Sequence, residues 1–126
     1  MDEQNKVIIY TASDGQTKID VKLEDETLWL TQAQMCELYQ TSRTNVVEHI
    51  KHIYEEGELE KEATCRNFRQ VREEGGRKVE REMTFYNLDM IIALGYRVRS
   101  IIATRFRQWA TLRLKEYMVK GFTLDD

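Results

Sequence analysis

The sequence predicts an α+β fold: a winged helix-turn-helix with an N-terminal antiparallel β-hairpin sheet and a C-terminal helical pair. Three observations predict it. Two short amphipathic runs, 31–39 and 43–53, are almost contiguous. A long hairpin pattern with a Glu74-Gly75-Gly76-Arg77 turn follows them. The first thirty residues alternate with the two-residue period of strands.

Taking the elements in order, Val7-Ile8-Ile9-Tyr10 is a compact apolar β-run, and Asp14-Gly15 is a hairpin turn signal. Ile19, Val21 and Leu23 alternate with Asp20 and Lys22, as in a half-buried strand. Glu24-Asp25-Glu26 makes an exposed turn, and Thr27-Leu28-Trp29-Leu30 leads into the helices. Thr31 suits an N-cap, with Met35, Cys36, Leu38 and Tyr39 as the buried stripe. Gln40-Thr41-Ser42 breaks the pattern, with Gln40 where a left-handed glycine is common. Val46, Ile50 and Ile53 then bury a second helix, which Gly57 ends within an acid-rich connection, Glu55–Glu60.

Residues 65–86 read as a wing, with Phe68 and Val71 on one arm and Val79, Met83 and Phe85 on the other. Asn87 caps a short apolar helix, 88–94, stopped by Gly95. A long helix runs from about Val98 to Met118, with Ile102, Phe106, Trp109, Ala110 and Tyr117 as its core stripe. Trp109 and Phe106 lie on that apolar face and read as core anchors rather than stacking platforms. Lys120 to Asp126 reads as a tail.

The 126 residues suit one domain, 1–126. No apolar run reaches the ~20 residues of a membrane helix, and Met1 to Lys6 has no signal-peptide character. Cytoplasmic location is the expectation, with no membrane partner. Cys36 and Cys65 have no CxxC partner and read as small buried apolar residues, without disulfide or zinc.

The formal net charge of −3 conceals an asymmetry. Residues 1–62 carry 6 Lys+Arg against 14 acids, a net of −8; residues 63–126 carry 13 against 8, a net of +5. Within 97–115, Arg97, Arg99, Arg105, Arg107, Arg113 and Lys115 occur without an acid. Phosphate binding answers to such local potential, because counterions are released only where surfaces meet.

A second helix with polar side chains on its outward face suits the major groove of double-stranded DNA. Arg43 suits guanine O6/N7, Asn45 suits adenine, and Ser42 and Thr44 reach bases or phosphate. Glu48 and Lys51 complete that face, Lys51 as a phosphate contact. Arg69, Arg72, Arg77, Lys78 and Arg81 on the wing suit backbone phosphate or the minor groove, interleaved with Glu73, Glu74, Glu80 and Glu82.

The chain also resembles the RhuM family of bacterial virulence-island proteins. The matching stretches are Trp29 to Gln32, Thr41 to Ile50, Glu56 to Leu59, Tyr86 to Val98, Phe106 to Thr111, Leu114 to Tyr117, and Gly121-Phe122. The run YNLDMIIALGYRV is the most specific. A looser likeness extends to the Bro-N and KilA-N DNA-binding domains of viruses and phages. The resemblance implies DNA binding with a regulatory role, and implies that this chain is the N-terminal part of a longer protein. Ile101-Ile102-Ala103 departs from the polar or basic residues expected between Arg99 and Phe106.

The leading expectation is therefore non-enzymatic, regulatory binding of double-stranded DNA, as a homodimer joined through Ile101/Ile102 or the C-terminal helix. The alternative is a protein-interaction module that recruits or regulates a missing effector domain through the same surface. No catalytic residue, cofactor, metal or small-molecule substrate is indicated. His49 and His52 flank no persuasive third ligand, and no nucleophile-base pair or phosphate-binding glycine loop occurs.

Overall fold

A computed structural model describes residues 6–124, with side chains described through Met118. Strands β1 (Lys6–Thr11) and β2 (Lys18–Glu24) form the first hairpin, paired from Lys6↔Leu23 to Thr11↔Lys18. Its turn is held by the Asp14 carboxylate, which accepts from the Gln16 and Thr17 backbone N–H groups at 2.8 Å each. These bonds favour the ionised carboxyl and hold its pKa below the usual carboxylate range. Strand β3 (Thr27–Leu30) follows through Asp25 and Glu26, both left-handed at φ 56° and 62°. Two non-glycine residues there cost conformational energy. An ion pair from Arg66 to Asp25 ties this turn to a strand far along the chain.

Two helices come next, α1 (Gln32–Tyr39) and α2 (Arg43–Glu55), then a single turn, α3 (Lys61–Thr64). Strands β4 (Cys65–Glu74) and β5 (Arg77–Asn87) form a ribbon closed by Gly75 and Gly76, at φ 59° and 79°. Positive φ at both central residues is what a type I′ hairpin turn requires, and glycine supplies it without strain. Helices α4 (Leu88–Val98) and α5 (Ser100–Leu124) close the fold.

The two expected hairpins are one sheet. Trp29↔Asn87 and Leu30↔Tyr86 join β3 to β5, giving five antiparallel strands in the order β1-β2-β3-β5-β4. Alternation puts Ile19, Val21, Leu23, Leu28 and Leu30 on the face under the helices, all nearly inaccessible. Met35, Leu38 and Tyr39 of α1, Val46, Ile50 and Ile53 of α2, Met90, Ile91 and Leu94 of α4, and Ala103, Phe106 and Ala110 of α5 fill that core. Phe106 and Trp109 meet the Tyr10 ring edge-on, at 5.0 and 4.9 Å between centroids, as core anchors should.

The opposite face carries a smaller cluster. Phe68 packs edge-on against Trp29 and Phe85, each at 5.3 Å, while the Arg66 guanidinium lies 4.7 Å above the Trp29 ring. This cluster fixes the base of the ribbon from the side that the helices do not cover.

Several expectations are corrected. Gly95 does not stop a helix: α4 runs through it to Val98, and the break falls at Arg99 (φ −149°), so α5 begins at Ser100. A Cβ at Gly95 would collide with the Tyr39 ring and lie 2.6 Å from the Ala103 Cβ, so this glycine allows three helices to approach closely. Cys36 and Cys65 are half-buried free thiols rather than fully buried ones. The supposed tail is helical through Leu124, with Asp125 and Asp126 outside the described residues, as are Met1 to Asn5. The Ile101/Ile102 patch reduces to one residue: Ile101 is 66% exposed, whereas Ile102 packs against the core. Among the described residues, no helix is long and apolar enough to cross a membrane.

Candidate nucleic-acid interface

Helices α1 and α2 are set by caps at both N-termini. The Thr31 hydroxyl accepts from the Gln34 backbone N–H at 3.2 Å, and the Gln34 side chain accepts in return from the Thr31 N–H at 2.9 Å. This capping box starts α1 directly off the sheet. Gln40 (φ 56°, ψ 53°) ends it in the left-handed conformation, and the Thr41 N–H donates to the Cys36 carbonyl at 3.1 Å. The turn that glycine commonly occupies is therefore formed by glutamine. Ser42 then caps α2, its hydroxyl accepting from the Asn45 N–H at 3.0 Å.

With Val46, Ile50 and Ile53 buried, the helical period turns Thr44, Val47, Glu48 and Lys51 outward, with Arg43 at the start. Neither Arg43 nor Lys51 has an ion pair among the described residues. Glu48 approaches His52 at 3.9 Å, one turn along. Asn45 differs from the expectation. It sits about 100° around the helix from Thr44, part-buried, and its side-chain amide donates to the Thr41 hydroxyl at 2.8 Å. Ser42 is likewise occupied as a cap. Val47, 40% exposed amid these polar residues, was missed by the sequence reading. Its signal is an apolar residue between Thr44 and Lys51 at helical spacing.

The ribbon holds its cations differently. Arg81 makes a two-point contact with Glu74, at 2.9 and 3.2 Å, and Arg69 approaches Glu80 at 3.7 Å. Arg72, Arg77 and Lys78 have no ion pair among the described residues. All five are exposed, with Arg77 adjoining the glycine turn.

In the basic run 97–115, Arg99, Arg105, Arg107, Arg113 and Lys115 are exposed, and two of the six cations, Arg97 and Arg113, form ion pairs. Arg97 bridges Glu56 and Glu58 at 2.7 and 2.9 Å, so the acid-rich connection after α2 binds α4. Donation from Arg97 keeps the Glu56 carboxyl below its ordinary pKa. Arg113 pairs with Glu116, Arg105 donates to the Ser13 hydroxyl and Arg107 to the Tyr96 hydroxyl.

Nothing about the cysteines suggests reactive chemistry. Burial holds both thiols above their ordinary pKa, partly opposed at Cys36 by the Arg43 guanidinium. The Tyr39 hydroxyl, also raised by burial, donates to the Ile91 carbonyl at 2.6 Å and fastens α1 to α4.

A family model described as the virulence protein RhuM family matches residues 63–126, which span the ribbon and the two closing helices. No curated protein and no solved structure matches the chain.

Proposed function

The chain belongs to the virulence protein RhuM family, and we propose that it binds double-stranded DNA through a winged helix-turn-helix, as a regulatory protein of the cytoplasm. One observation carries this reading. A capped helix, α2, follows a left-handed turn and offers Arg43, Thr44, Val47, Glu48 and Lys51 to solvent, its arginine and lysine without an ion pair among the described residues. The strand order around it adds support: α1 and α2 are inserted between β3 and β4, and β5 lies between those two strands. In a winged helix the same arrangement sets the wing beside the recognition helix.

On this reading Arg43 forms two hydrogen bonds with guanine, Val47 meets a thymine methyl, and Glu48 accepts from a cytosine amine. Lys51 and the ribbon cations Arg72, Arg77 and Lys78 hold phosphates. Ser42 and Asn45 position the helix rather than read bases. A two-fold dimer would place two such helices on a palindromic site.

The interaction-module alternative rests on Ile101 and Leu112, 66% and 61% exposed and on the same side of α5. Selection from pooled random duplexes at two salt concentrations separates the readings. DNA binding gives an enriched sequence and an affinity that falls steeply with salt. No enrichment and no salt dependence would leave the interaction module.

A further inference from the structure

The two edges of the sheet are built unlike each other. The β4 edge is dense with charge: Arg66, Arg69, Arg72, Glu73 and Glu74 in ten residues. Such charges are a common protection against edge-to-edge pairing. The β1 edge is Lys-Val-Ile-Ile-Tyr-Thr, with no charge after Lys6, and no proline exists anywhere in the chain. Val7 and Ile9 are 56% and 59% exposed on it.

The backbone groups of the same two residues also point away from β2. The Ala12 N–H donates to the Thr17 carbonyl at 2.9 Å, and those residues face each other one step beyond Thr11↔Lys18. Hydrogen-bonded pairs alternate along an antiparallel ladder. Tyr10, Ile8 and Lys6 therefore bond inward to β2, while Val7, Ile9 and Thr11 aim their N–H and C=O groups away from it. Two of these three outward-facing residues, Val7 and Ile9, carry exposed apolar side chains.

We propose that two copies of this chain pair their β1 strands antiparallel about a two-fold axis at Ile8, joining two five-stranded sheets into one. The symmetry selects the occupant. When Val7 faces Ile9 of the second copy, the reverse pair forms automatically, so Val7 and Ile9 of each strand gain hydrogen bonds and apolar neighbours together. Ile8 then meets its own counterpart on the inner side. There a groove of about 410 Å³ lies between β1 and α5, lined by Ile8, Leu23 and Tyr117 together with the charged Lys6, Arg113 and Glu116. The interface joins β1 edges, not the C-terminal helix.

Sedimentation without DNA tests this independently of the DNA reading, which a monomer would also satisfy. The wild-type chain is expected to dimerise reversibly. Ile9→Lys, at an exposed position, should raise the dimer dissociation constant by about 10–100-fold, from the lost burial of one isoleucine per strand. At concentrations low enough that the wild type is monomeric, the two should melt at the same temperature. Ile8→Cys supplies a second arm, because two cysteines at a non-hydrogen-bonded pair have Cα atoms about 4.5 Å apart, within disulfide range. Mild oxidation should link Ile8→Cys chains but not Thr11→Cys chains, with the wild type as the blank for Cys36 and Cys65. A monomer at every concentration overturns the proposal. So does a dimer that Ile9→Lys leaves intact and Ile8→Cys does not trap, or growth beyond a dimer.

Discussion

Helix α2 and the β4–β5 ribbon both display cations to solvent, yet different forces hold them. Helix α2 is over-determined. Ser42 caps it, Val46, Ile50 and Ile53 lock it to the core, and Arg97 grips the Glu56 and Glu58 that follow it. The ribbon beyond Phe68 rests on its ladder, a glycine turn and exposed ion pairs, with Val71 57% exposed. Exposed ion pairs contribute little and yield readily to a competing anion. A rigid helix suits base edges, whose positions are demanding; a compliant ribbon suits phosphates, which recur along every sequence. Under the proposed DNA-binding function, the two regions would divide specificity from affinity.

The largest expected effect tests the rigidity. Gly95→Ala forces a Cβ against Tyr39 and Ala103, where α1, α4 and α5 meet. It should cost about 3 kcal/mol, the upper range for overpacking a core. Gly75→Ala, with open space around it, carries only its left-handed backbone penalty of about 1 kcal/mol. Urea melts of both variants give the comparison. Similar losses would mean that the helical junction is as compliant as the ribbon.

Next in size is the contrast between Arg43 and Arg77. Arg43→Ala should lose roughly 1–3 kcal/mol on the preferred duplex and far less on random DNA. Arg77→Ala should weaken both about equally and reduce the salt slope by about one unit. Titrations of the two duplexes at several salt concentrations read this out. Equal losses on both DNAs for Arg43→Ala would remove α2 from the base-reading role.

A smaller effect concerns the ribbon's own acids. Glu74→Gln and Glu80→Gln release Arg81 and Arg69 from their partners. Each should tighten binding about twofold, equivalent to the ~0.5 kcal/mol of an exposed pair. Glu82 makes no ion pair among the described residues, so Glu82→Gln should gain less. Equal gains from all three would point to the overall field instead of freed arginines.

The smallest effect is on acid stability. The Glu56 carboxyl is held below its ordinary pKa by Arg97, so it releases its proton more readily folded than unfolded. That contribution is present above the ordinary carboxylate range and fades as pH falls through the lowered pKa. Denaturant melts at neutral pH and near about pH 3 should show a smaller acid loss for Glu56→Gln than for the wild type.

Local patterns made much of this molecule legible. Thr31 and Asn87 cap as their side chains suggest, because a cap needs only residues three apart. The Gly75-Gly76 turn and the alternation of Ile19, Val21 and Leu23 are equally local. Gly95 misled because a helix-ending glycine and a close-packing glycine look alike without the neighbours that crowd it. Asn45 and Arg97 misled because hydrogen-bond partners, Thr41 and the pair Glu56 and Glu58, decide whether a polar group faces solvent.

The sequence by itself determined the α+β class, the two adjoining helices, the ribbon and its turn, because backbone propensity, capping and hydrophobic period act within a few residues. Only the tertiary structure decided that β3 pairs with β5, which makes one sheet of two hairpins and leaves β1 as its open edge. It also decided which cations remain unpaired. Strand partners and ion pairs join residues tens of positions apart, and their choice follows from how the whole core packs.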